Sequence, residues 1–81
     1  MSNWYQWELD VMEKLKKQDP NFAEMVERHK SLESKLEELR SKSYLSAEDE
    51  ALERALKREK LHLRDQIDKI IRINKNVVLP A

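Results

Sequence analysis

Along residues 22–39 the apolar side chains recur in alternating steps of three and four, at Phe22, Met25, Leu32, Leu36 and Leu39, with His29 in the one remaining seam position. On a helix of 3.6 residues per turn this spacing keeps a single narrow stripe on one side, the pattern of helices packed along a shared seam. A second stripe runs through Leu52, Leu56, Leu63, Ile67 and Ile70 to Ile71 or Ile73. It fits two close registers that share Leu56, Leu63 and Ile70 and differ in whether Glu59 or Lys60 fills the gap between the two leucines. Two such stripes in one short chain predict an all-α fold, an antiparallel helical hairpin with coiled-coil character.

Composition narrows the alternatives. The chain has no glycine among its 81 residues, and 40% of them are charged, which suits long helices and removes the usual residue of tight turns and phosphate-cradling loops. There is no cysteine, so neither a disulfide nor a thiolate metal site can supply the stability that so small a core lacks. Association with another chain is the expected remedy. Sixteen basic residues balance sixteen acidic ones, leaving no net field to gather nucleic acid or anionic lipid. The chain opens Met1-Ser2-Asn3 without a basic region followed by an apolar run, and no apolar stretch nears the ~20 residues of a membrane span, so a cytoplasmic protein without a membrane is expected.

Punctuation predicts three helices in a single helical domain over residues 1–81. The first spans about residues 3–18, and the dipeptide Asp19-Pro20 either ends it or kinks it into the next. The second spans about 20–42. A turn follows at about 43–46, with Ser46 and Asp49 spaced as a capping box, and the third helix spans about 47–74 before a tail over 75–81. Reversal at that turn places residues whose numbers sum to about 90 at equal height. His29 then stands level with Glu59, and a cross-helix hydrogen bond between these two would hold the register. A metal or acid–base site built from His29, Glu33, Glu59 and His62 is the competing reading, weakened by the absence of an HExxH pattern or further nitrogen ligands. No cofactor, catalytic residue or small-molecule substrate is expected.

The first helix carries an apolar face of Trp4, Tyr5, Trp7, Val11, Met12 and Leu15, interrupted by Glu8. With Ile71 and Ile73 at the open end of the hairpin, these residues form a candidate interface for a homodimer or an unidentified protein partner. A continuation through Pro20 would carry the aromatics beyond their own third helix, and on that ground a dimer is expected over a fold-back. Lys57, Arg58, Lys60 and Arg64 form an alternative phosphate-contact patch, but acid-to-base pairs at spacing four run along the same helix and no aromatic is interleaved.

The stretch from about Trp7 to Arg72 resembles the YdcH-like family of short bacterial proteins of unknown function. The marks are a leucine-bearing first helix closed by Asp19-Pro20, then Phe22, His29 and Leu32, and after the turn "LKREKLHLRDQI", in which Arg58 and Arg64 stand where lysine is more usual. The resemblance implies a cytoplasmic bacterial helical hairpin and transfers no catalytic residue. The functional expectation is a helical interaction module, with a small nucleic-acid-associated protein as the alternative.

Overall fold

In the computed structural model, which describes residues 4–75, three helices follow one another: α1 (Gln6–Gln18), α2 (Pro20–Arg40) and α3 (Ala47–Ile73). No strand occurs among the described residues. Expectations placed on residues 1–3 and 76–81 lie outside them.

Each helix end has a local cause. Trp4 and Tyr5 precede α1, and Glu8, which interrupts the apolar face, folds back to accept the Tyr5 backbone N–H at 2.8 Å. Asp19 settles the question of kink or break. It is extended, at φ −130° and ψ 102°, as a residue before proline prefers, and its carboxylate accepts the N–H groups of Asn21 and Phe22 at 3.0 and 3.3 Å. One non-helical residue therefore separates α1 from α2. At the far end α2 stops at Arg40, two residues before the expected boundary, and the reversal occupies residues 41–46. Ser46 Oγ accepts the Asp49 N–H at 3.1 Å and Asp49 returns the bond to the Ser46 N–H at 3.2 Å, closing a capping box. α3 ends at Ile73, where Asn74 donates its side-chain amide to the Ile70 carbonyl at 2.8 Å.

α2 and α3 run antiparallel, tied by Arg28 to Glu59 at 2.7 Å, Arg40 to Glu53 at 3.0 Å and Lys42 to Asp49 at 3.3 Å, all pairs whose numbers sum to about 90. Between the helices Leu32, Leu36 and Leu39 are buried from α2. At the open end α1 lies back across the hairpin, and Val11, Met12 and Leu15 form one cluster with Phe22, Val26, Ile67 and Ile71. Trp4, Trp7, Met25 and Ile70 pack partly buried around it.

This placement corrects the expectation that the aromatic helix would lie beyond its own third helix. The sharp break at Asp19, in place of a shallow kink, turns α1 through enough of an angle to return along the hairpin. Leu52 also departs from its expected core position: it is 49% exposed, because near the turn only α2 is present to cover α3. Leu56, Leu63 and Ile70 are half-buried, and Ile67 and Ile71 are enclosed.

Candidate functional site

The residues that draw most polar interactions together lie where the lead-in to α1 crosses the middle of the hairpin. The Trp4 indole N–H donates to Asp68 Oδ1 at 2.7 Å. Arg64 Nε donates to both oxygens of the same carboxylate at 3.3 Å, one helical turn away, and its guanidinium carbon stands 4.2 Å from the Trp4 ring centroid. His29 of α2 touches the same indole, with ring centroids 5.3 Å apart and planes tilted by 55°. Its Nδ1 is 3.7 Å from Glu33 Oε1, a close electrostatic approach but longer than a hydrogen bond.

His29 is buried, and that burial is the main reason its pKa lies below the ordinary histidine value. Glu33 opposes the shift, Lys60 and Arg64 reinforce it, and Asp68 opposes it. The imidazole is consequently neutral at pH 7. A cavity of about 250 Å³ lined by Trp4, Leu9, Met12, Val26, His29 and charged neighbours lies beside it. Among the described residues no three histidine, cysteine or carboxylate side chains are grouped to hold a metal ion. The arrangement does one thing directly: it clasps the start of α1 to α2 and α3 at once.

The expected pair of His29 with Glu59 is replaced. Glu59 takes Arg28, with the guanidinium Nε at 2.8 Å and Nη2 at 2.7 Å, and His29 turns to Trp4 and Glu33. The reason is steric and electrostatic together, since α1 covers the His29 side of α2 while an arginine one residue earlier reaches Glu59 from the open side. The basic patch is also dispersed. Lys57, Lys60 and Arg64 share one stripe at helical spacing, but Arg64 is held by Asp68 and Trp4, and Arg58 lies about 100° further round from Lys57. Of the proposed interface residues, Val11, Met12, Leu15 and Ile71 are interior, Trp4 and Trp7 are partly so, and Tyr5 and Ile73 are 72% and 79% exposed. Sequence reasoning missed Arg28, Asp68 and the role of Arg64. The one available signal was Arg64 and Asp68 at spacing four beside Ile67 and Ile71.

The outer edge of α3 is covered only in part. Leu52, Leu56, Glu59, Leu63, Gln66, Ile70 and Ile73 follow one another in strict steps of four and three; Leu52, Gln66 and Ile73 are exposed, while Leu56, Glu59, Leu63 and Ile70 are half-buried and lie next to the inward-facing Ile67 and Ile71. Near the turn this face joins a groove of about 350 Å³ lined by Lys35, Glu38, Leu39, Lys42, Leu52 and Leu56.

These features define a small all-helical protein, a helical hairpin with a short helix folded back on it. Residues 22–71, most of α2 and α3 with the turn between them, match the family described as Protein of unknown function (DUF465), the YdcH-like small proteins, and the chain belongs to that family. α1 lies outside the matched residues. No curated protein and no solved structure matches the chain.

Proposed function

We propose that this protein is a helical interaction module that binds a second protein chain through an apolar helix face and performs no catalysis. One observation carries the reading: the stripe from Leu52 to Ile73 keeps the spacing of a helix-packing seam although the described residues cover it only in part, with Leu52 and Ile73 exposed and Leu56, Leu63 and Ile70 half-buried. Single exposed leucines are ordinary, whereas a continuous seam about 32 Å long at 1.5 Å per residue is a surface suited to another helix. No helix among the described residues is long and apolar enough to cross a membrane. In this reading the module works in the bacterial cytoplasm, the setting its family resemblance implies. Nucleic acid is the lesser alternative, because Arg64 is already engaged and Arg58 faces elsewhere.

Sedimentation over a range of concentrations, at low and moderate salt and with or without a duplex oligonucleotide, tests the proposal. Apolar association should grow with concentration and hold or strengthen with salt. A monomer at every concentration that binds only the oligonucleotide, and releases it steeply as salt rises, would overturn it.

A further inference from the structure

We infer that the partner covering the partly exposed outer edge of α3 is a second copy of this chain, with the two α3 helices antiparallel about a twofold axis at Leu63. The inference rests on the interaction-module reading and adds its partner, surface and register. α3 carries two overlapping stripes and uses them differently. Ile67 and Ile71 turn inward to α1 and α2, leaving Leu52, Glu59, Gln66 and Ile73 on the outer edge, with the half-buried Leu56, Leu63 and Ile70 between the two sets.

The outer stripe is self-complementary in one direction only. In an antiparallel pair centred on Leu63, Leu63 meets its own copy, Leu56 lies level with Ile70, and Leu52 lies within one residue of the level of Ile73. Every apolar position then faces an apolar position. The two polar positions also match, because Glu59 comes within one residue of the level of Gln66, whose amide can donate to the carboxylate. Glu59 already accepts from Arg28 within its own chain, yet its side chain remains 40% exposed and keeps acceptor capacity for that amide. In a parallel pair Glu59 would face Glu59 across the seam, with like charges opposed. The antiparallel twofold also sets both α2 helices on the same side of the α3 pair, which closes a four-helix bundle around Leu56, Leu63 and Ile70 with α1 on the outside of each half.

Substitutions at the exposed Gln66 test this without touching the core. If position 66 faces Glu59 of the second copy, Gln66→Glu should weaken self-association roughly tenfold, the equivalent of 1.4 kcal/mol, and Gln66→Lys should maintain or tighten it. If position 66 faced its own copy, as in a parallel pair, both substitutions would weaken association, and the inference would fail. Because the chain has no cysteine, Leu63→Cys supplies an independent measurement: mild oxidation should yield a covalent dimer, since the axis brings the two positions within disulfide range. Leu52→Cys alone should not cross-link, its copies lying about 33 Å apart along the axis at 1.5 Å per residue. Association that ignores both Gln66 substitutions and gives no Leu63→Cys cross-link would place the interface elsewhere and overturn this inference while leaving the interaction-module reading intact. A strict monomer would overturn both.

Discussion

His29 is neutral because it is buried under the Trp4 indole, with Lys60 and Arg64 on α3 adding to the cost of a positive charge and with Glu33 and Asp68 only partly offsetting it. A folded pKa below the unfolded value of ~6.5 means that the unfolded chain binds more protons between the two values. The stability due to His29 is therefore complete above about pH 6.5, declines as the pH falls below it, and stops declining below the folded pKa. Denaturation midpoints measured between pH 8 and pH 5 should fall with acid, with Trp4 fluorescence in a Trp7→Phe background reporting the same clasp. His29→Leu should fold, match or exceed the wild type in stability at neutral pH, and lose this part of the acid response. An unchanged acid response in that variant would place the sensitivity at another residue. Asp49 titrates in a lower range: the Ser46 backbone N–H, helped by Lys42, holds its carboxyl below the ordinary value, so its contribution is present above about pH 4 and declines further into acid.

At the scale of elements, the hinge and α1 set the shape of the open end. Asp19 satisfies two free amides at the start of α2, and Asp19→Ala should cost about 1 kcal/mol in urea denaturation, as loss of a helix cap generally does. Burial separates the two leucines that the sequence alone places on similar apolar faces. Leu15 of α1 is enclosed against the hairpin, so Leu15→Ala should cost about 2–4 kcal/mol. Leu52 is half exposed, so Leu52→Ala should cost under about 1 kcal/mol in the monomer. Equal costs at both positions would mean that α1 is not docked as described. The apolar periodicity of α1 was legible from Trp4 to Leu15, but its destination was not, because a helix face specifies that it will be covered and not by which neighbour.

For the whole molecule, the described residues measure 51 × 21 × 17 Å with a radius of gyration of 15.0 Å, an elongated hairpin thickened at one end by α1. Labels near Leu36 and Glu53 should lie about 10 Å apart, one interhelical distance, and a separation above about 20 Å would rule out the reversal at residues 41–46. By itself the sequence determined what depends on a few adjacent residues: an interruption at Asp19-Pro20, whether kink or break, a helix start at Ser46 with its capping box to Asp49, and an antiparallel height set by the short turn. Those features follow from backbone hydrogen bonding and chain connectivity, which act locally. Only the tertiary structure decided which side of α3 faces inward, why Glu59 takes Arg28 in place of His29, and how Trp4 reaches Asp68. Two stripes offset by one residue on the same helix offer nearly equal apolar area, so local pattern cannot rank them. The choice is made by where α1 comes to rest, a contact between Trp4 and Asp68 that lie 64 positions apart in the chain.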